Sequence, residues 1–123
     1  MKLAISSTGK TLEDNIDMRF GRCAYFLIVE IEDKEIKNVK AIENHAAMQT
    51  GGAGITAAQI VANEKVDAII TVNIGPRAFD VFQQLGIKIY QAQGKIKDAI
   101  EQFINGELKE ISAATGPMHF GLR

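Results

Sequence analysis

The sequence has few of the features that mark secreted, membrane or nucleic-acid-binding proteins. Its single cysteine, Cys23, cannot form a disulfide within the chain, so a reducing cytoplasm is the expected compartment. The longest apolar run, Cys23 to Val29, is far too short to cross a bilayer. The formal net charge is -1, which is not the basic excess typical of nucleic-acid-binding domains. We therefore expect neither a membrane nor a nucleic acid as a partner.

What is present is the composition of one globular domain. The chain has 123 residues, of which 46% are hydrophobic and 24% are charged. Its start, Met1–Ser6, is typical of a first strand rather than of a signal peptide. Periodic patterning ends near residue 106, so we expect a domain over residues 1–106 and a loosely held tail over 107–123. A monomer or a weak homodimer is expected.

Short apolar runs followed by amphipathic segments predict an α/β fold with five strands and three helices. The strands are predicted over Lys2–Ser6, from Tyr25 to Ile31, from Ile36 through Val39 to Ile42, over Asp67–Val72 and over Ile87–Tyr90. The helices are predicted over Ile55–Lys65, from Pro76 to Gly86, and from Ile96 to Ile104. The short turn between the second and third strands makes them an antiparallel hairpin, and the third strand's imperfect alternation indicates a bulge. This pattern predicts a three-layer sandwich with a mixed sheet.

The predicted strand directions bring five loops to one edge of the sheet. The first, fourth and fifth strands run the same way, and the hairpin adds the start of the second strand and the end of the third. The segments that meet are Ser6–Gly9, Arg19–Cys23, Asn44–His45 with the glycine loop after it, Asn73–Pro76, and Gln91. Open α/β sheets bind ligands at such an edge, so we expect the functional site there.

The glycine loop, which contains Gly51, Gly52 and Gly54, precedes a predicted helix. Glycines let backbone N–H groups approach an anion closely, and the start of a helix adds a favourable dipole. The alternative is a tight turn without a ligand. The dinucleotide-binding fingerprint is not matched, so this loop does not by itself indicate a nucleotide.

Two arginines, Arg19 and Arg22, flank the dipeptide Phe20–Gly21. The guanidinium group offers a fork of donors to carboxylates, phosphates or sulfide-rich anions. The alternative is that one arginine pairs with Asp14, Asp17 or a helix end and only fixes the loop. The functional interpretation depends on their position at the convergent edge.

Soft and borderline metal ligands are sparse. They are Cys23, His45, Met48, Met118 and His119. Their spacing matches no zinc pattern, and one thiolate cannot build a site that needs four cysteines. Cys23 is alternatively a small buried hydrophobic residue. His45 lies in a polar stretch where its imidazole can reach a metal, whereas His119 in the tail is the poorer candidate.

The sequence contains few groups of residues that could act together in catalysis, so we expect that the protein is not an enzyme. A nuclease of ribonuclease-H type needs carboxylates on the central strands, but the first strand has none and Asp67 lies at the opposite end of the fourth. Ser6, Ser7 and His45 could serve as nucleophile and base, but nothing in the sequence fixes their geometry.

Four motifs in order resemble one known family, the dinitrogenase iron–molybdenum cofactor biosynthesis family typified by NifX and the C-terminal part of NifB. The motifs are Lys2–Ser7, Arg19–Arg22 leading into Tyr25–Val29, Gly51–Ile55, and Val72–Phe79. The resemblance extends to about Asn105. It implies a ribonuclease-H-like three-layer fold with sheet order 3-2-1-4-5 and strand 2 antiparallel to the rest. It also implies binding or carrying of iron–sulfur or iron–molybdenum-type clusters.

The convergent edge and the resemblance together define the expected site. The expected cofactor-binding residues are Arg19, Phe20, Gly21, Arg22, Asn44, Gly51, Gly52, Gly54, Asn73 and Gly75, and the expected metal ligands are His45 and Cys23. The expected role is a non-catalytic accessory or chaperone that works with metallocluster donor or acceptor proteins. The alternative is a sensor or adaptor domain that binds a small anion or a nucleotide. An RNA-processing enzyme is a third possibility, which the missing acids oppose.

Overall fold

The computed structural model describes residues 1–115, which form a mixed six-stranded sheet and three helices. The strands are β1 (Lys2–Ser7), β2 (Tyr25–Glu32), β3 (Glu35–Glu43), β4 (Ala68–Thr71), β5 (Lys88–Gln91) and β6 (Lys109–Glu110). The helices are α1 (Ala53–Ala62), α2 (Pro76–Leu85) and α3 (Ile96–Ile104). Met118 and His119, two of the candidate ligands, lie outside the described residues. Within residues 1–115, every helix is too short or too polar to traverse a lipid bilayer.

The sheet order is β3-β2-β1-β4-β5-β6. β1, β4 and β5 are parallel, while β2 is antiparallel to both β1 and β3. This confirms the predicted order of the first five strands and the predicted hairpin. The predicted bulge is also present: Glu30 pairs with Asn38 and Ile31 with Ile36, so Lys37 is the extra residue.

The sheet has a sixth strand that the sequence did not predict. Lys109 and Glu110 pair antiparallel with the end of β5, and the N–H of Ile111 donates to the carbonyl oxygen of Ile89 at 2.7 Å. A two-residue strand with both side chains exposed has no hydrophobic period that a sequence pattern could reveal. The expectation of five strands was therefore one short, and residues 109–111 of the predicted tail are hydrogen-bonded to the sheet.

Helices cover both faces of the sheet and create two cores. β2 alternates between them, with Phe26 and Ile28 facing α1 and α2, and Leu27 and Val29 on the side of α3. Phe82 of α2 is fully buried in the first core. The three predicted layers are thus confirmed.

The segment between β1 and β2 links the carboxyl end of β1 to the start of α3. The N–H of Ile16 donates to the carbonyl oxygen of Gly94 at 2.8 Å, and the N–H of Ile96 donates to that of Asp14 at 2.9 Å. Farther along the segment, Arg19 forms a parallel bridge with Asn73, just after β4. The chain thus passes over the ends of the parallel strands before it enters β2.

Candidate functional site

Three of the predicted loops come together in the structure through close backbone contacts. Arg19 bridges to Asn73, whose Nδ2 also donates to the carbonyl oxygen of Met18 at 3.4 Å. Gly21 packs against the start of α1, where an added β-carbon would lie 3.1 Å from the N and Cα atoms of Gly54. Arg19–Arg22, the loop after β4 and the glycine loop therefore form one continuous surface at the predicted edge.

A fourth loop is attached to this surface by Asn44, which is 3% exposed. Its Nδ2 donates to the carbonyl oxygens of Gly21 and Cys23 at 3.1 and 2.9 Å, and its Oδ1 accepts from the N–H of Ala46 at 3.2 Å. The amide group is thereby engaged in holding backbone. As placed here, Asn44 organises the site and does not face it.

Arg22 also binds backbone. Its Nη1 donates to the carbonyl oxygens of Ala47 at 2.9 Å and Gln49 at 2.5 Å. The guanidinium group is half-buried beside the turn that follows β3. Arg19 is different, because its side chain is 53% exposed and its only ion pair in the described structure is a 3.9 Å contact with Asp17.

The turn after β3 carries the exposed soft ligands of this edge. Two successive hydrogen bonds form it, from the N–H of Ala47 to the carbonyl oxygen of Asn44 and from that of Gln49 to Ala46. His45 is exposed and Met48 is 91% exposed. We name this segment, residues 44–49, the His45 turn.

The glycine loop follows the His45 turn directly. Gly51 and Gly52 are exposed, and Gly52 has a φ of 71°, a left-handed conformation that glycine adopts without strain. No side chain caps α1, and its first turn contains no acidic residue. The first N–H groups of a helix lack partners within it, so the start of α1 carries backbone donors for an anion.

Cys23 and Phe20 lie in the core rather than at the surface. Cys23 is fully buried, and its Sγ donates to the carbonyl oxygen of Phe20 at 3.3 Å. Burial raises the pKa of the Cys23 thiol to about 12. The thiolate is the form that binds metals, so this environment opposes Cys23 as a ligand and favours its alternative role as a small buried residue. The Phe20 ring packs between Phe26 and Phe82, with centroids 5.0 and 5.3 Å away.

The loop between β4 and α2 is held by a residue near the end of the described chain. The N–H of Ile74 donates to Oγ1 of Thr115 at 2.9 Å, and the N–H of Thr115 donates to the carbonyl oxygen of Ile74 at 3.0 Å. Gly75 has an ordinary φ of -77° and precedes Pro76 at the start of α2. Thr115 was not predictable from the sequence, because a single polar residue after an irregular segment has no recognisable pattern.

Other chemistry at this edge is limited. Ser6 Oγ lies 2.9 Å from Oγ1 of Thr71 in the interior, and Ser7 Oγ donates to the carbonyl oxygen of Gly9 at 2.6 Å. Both serine hydroxyls are thus engaged in internal hydrogen bonds. Among residues 1–115, no three His, Cys, Asp or Glu side chains form a group that could hold a metal ion. A cluster at this edge would therefore depend on few side-chain ligands and on backbone donors.

These features match one family. The family described as dinitrogenase iron-molybdenum cofactor matches residues 1–106. The chain belongs to that family. Membership links the protein to the biosynthesis or binding of this cofactor.

Relatives extend over nearly the whole chain. An uncharacterized protein of Methanocaldococcus jannaschii, MJ0580, is 43% identical over 112 residues, which are 89% of this chain and 95% of that protein. The apo form of the orange protein from Desulfovibrio gigas is 29% identical, with a TM-score of 0.84 over 93% of this chain and 95% of its own. A Thermotoga protein described as a candidate NifB protein is 32% identical, with a TM-score of 0.78 over 93% and 96% of the two chains.

Proposed function

We propose that this protein binds a preformed iron–sulfur or iron–molybdenum-type cluster at the edge formed by the His45 turn and the start of α1. It acts as a non-catalytic carrier between metallocluster donor and acceptor proteins in a reducing cytoplasm. The observation that carries the proposal is the exposed His45 imidazole, in the turn that leads along the chain into the uncapped, glycine-rich start of α1. Family membership supports the class of cargo.

The chemistry of the edge suits such a cargo. Imidazole nitrogen and thioether sulfur are borderline and soft ligands, as iron and molybdenum–sulfur species require. The outer sulfides of a cluster are anionic and accept hydrogen bonds. Backbone N–H groups and the exposed Arg19 can donate these bonds. Few protein ligands are consistent with temporary binding, because a carrier must release its cargo.

Anaerobic titration with a preformed cluster tests the proposal. Wild-type protein should develop charge-transfer absorbance that saturates near one cluster per chain, and His45→Ala should weaken the binding. Asn38→Ala, an exposed change on β3, is the matched control and should bind as the wild type does. Cys23→Ala decides between the two predicted ligands, and unchanged binding would assign ligation to His45. Absence of saturable binding by the wild type would overturn the proposal.

The second candidate is a sensor or adaptor domain for a small anion or a nucleotide. The uncapped start of α1 and the exposed Arg19 favour it, since neither depends on a soft ligand. A thermal-shift screen separates the two functions. An anion that binds specifically should raise the melting temperature as its concentration rises, and His45→Ala should keep that response.

A further inference from the structure

The two arginines of the Arg19–Arg22 loop have different structural environments. Arg19 extends into solvent beside Asp17. Arg22 is half-buried and donates to two backbone carbonyl oxygens of the His45 turn, those of Ala47 and Gln49. A guanidinium group that binds backbone carbonyls in this way has fewer donors left for an anion. The hydrogen bonds to the turn therefore account for the position of the Arg22 side chain.

The His45 turn is held from both of its ends. Asn44 attaches its start to the carbonyl oxygens of Gly21 and Cys23, and Arg22 attaches its end through Ala47 and Gln49. Between these attachments Ala46 is fully buried, whereas His45 points outward as an exposed residue. Asn44 Nδ2 also lies 3.8 Å from Cys23 Sγ, so all the side-chain hydrogen bonds that join the turn to more distant parts of the described structure are made by Asn44 and Arg22.

We propose that Arg22 is a positioning residue, which clamps the His45 turn so that the His45 imidazole faces the cargo. It is not itself a ligand of the cargo. The inference rests on the proposed function for its cargo and on the described hydrogen bonds for the clamp. It assigns different roles to two arginines that the sequence alone treats as equivalent.

Amide hydrogen exchange of the unloaded protein tests the clamp without any cluster. Arg22→Ala should increase exchange at the N–H groups of Ala47 and Gln49 by about tenfold, because their hydrogen bonds to the carbonyl oxygens of Asn44 and Ala46 open more often once Arg22 no longer holds the turn. Arg19→Ala, which removes the same charge from the same loop, should leave those amides unchanged. Equal exchange rates of these two amides in the wild type and in Arg22→Ala would contradict the proposal that Arg22 holds the turn.

Cluster binding then separates positioning from charge. Arg22→Lys keeps the charge, but its ammonium ends a shorter side chain and does not extend to the position of Nη1, which donates to both carbonyls. It should therefore bind the cluster more weakly than the wild type, by about tenfold. Arg19→Ala should also weaken cluster binding, because Arg19 donates to the cluster directly, but it should leave the exchange of the Ala47 and Gln49 amides unchanged. Normal binding by Arg22→Lys would show that the charge of Arg22 is sufficient, and would overturn the inference.

A double variant shows whether Arg22 acts through His45. If it does, Arg22→Lys combined with His45→Ala should lose no more affinity than His45→Ala alone. If the fold-loss of affinity in the double variant equals the product of the two single losses, Arg22 contacts the cargo independently of His45. That result would overturn the inference. If the wild type binds no cluster, the proposed function fails, and the exchange measurement alone decides whether Arg22 clamps the turn.

Discussion

Gly21 and Gly54 are in close backbone contact, because Gly21 has no β-carbon to separate the Arg19–Arg22 loop from the start of α1. A β-carbon on Gly21 would lie 3.1 Å from both the N and Cα atoms of Gly54. A β-carbon on Gly54 would meet only the β-carbon of Ala78, at an ordinary 3.8 Å. The glycine requirement of this contact therefore comes from Gly21.

Alanine at these two glycines should have opposite effects on stability. Gly21→Ala pushes the loop away from a helix backbone that cannot yield, and should lower the free energy of unfolding by about 1–3 kcal/mol. Gly54→Ala removes the conformational cost of glycine within a helix. It should therefore raise the free energy of unfolding by up to about 1 kcal/mol. Urea unfolding of both variants measures the difference. Equal effects of the two changes would contradict the close contact.

Asn44 should be the most sensitive asparagine of the described structure. Asn44→Ala leaves buried carbonyl oxygens of Gly21 and Cys23 without their donor, which should cost about 1–3 kcal/mol in the free energy of unfolding. The control is Asn38→Ala, whose Nδ2 donates to Glu30 at the exposed surface of β3 and whose loss should cost less than about 0.5 kcal/mol. A similar urea midpoint for both variants would show that Asn44 does not organise the site.

The Cys23 thiol should be unreactive in the folded protein. Its pKa is raised from 9.0 to about 12, chiefly by burial, so the reactive thiolate is scarce at pH 8. A thiol reagent should modify Cys23 at pH 8 only after urea unfolds the chain. Rapid stoichiometric modification of the native protein would show that the thiol is accessible, and would restore Cys23 as a candidate ligand.

The same pKa predicts how stability changes with pH. Between pH 9 and pH 12 the unfolded thiol releases its proton while the folded thiol keeps it, so the free energy of unfolding falls as pH rises. The slope contributed by this group is at most about 1.4 kcal/mol per pH unit. Cys23→Ala should lack that contribution, so the difference in stability between wild type and variant should narrow or reverse between pH 8 and pH 11. Parallel pH profiles would contradict the raised pKa.

Thr115 should stabilise the loop before α2. Thr115→Val removes the Oγ1 acceptor of the buried Ile74 N–H, which should lower the free energy of unfolding by about 1 kcal/mol. Thr115→Ser keeps the hydroxyl and is the matched control. Thermal or urea unfolding of both variants measures the effect, and equal losses in the two would show that the hydrogen bond makes no net contribution.

The regular part of the fold was accessible from the sequence because hydrophobic periods encode it. The β-branched and aromatic content of Phe26, Leu27, Ile28 and Val29 predicts a strand, and in the structure their side chains alternate between the two cores. α1 begins at Ala53, two residues before the predicted start, because glycine at position 54 is tolerated in a first helical turn. β6 was not predicted because Lys109 and Glu110 are both exposed, so the strand has no hydrophobic pattern.

The meeting of these loops at one edge was predictable from the sequence, but the contacts of their side chains were not. Strand direction alone brings the loops to one edge, and the contacts of Gly21, Asn44 and Asn73 show that they meet there. Whether a loop side chain faces solvent, core or backbone depends on local geometry that has no period. For that reason Phe20 was expected at the surface and packs in the core, and Arg22 was expected to bind cargo and binds carbonyls.

The most direct test of the central proposal is the metal content of the protein after anaerobic mixing with a preformed cluster and gel filtration. We predict that iron and sulfide, with molybdenum when the cluster contains it, elute with the wild-type chain near one cluster per chain. His45→Ala should retain substantially less, and Asn38→Ala should retain as much as the wild type. Elution of the wild-type protein free of metal, at cluster concentrations above that of the protein, would contradict a cluster-carrying function.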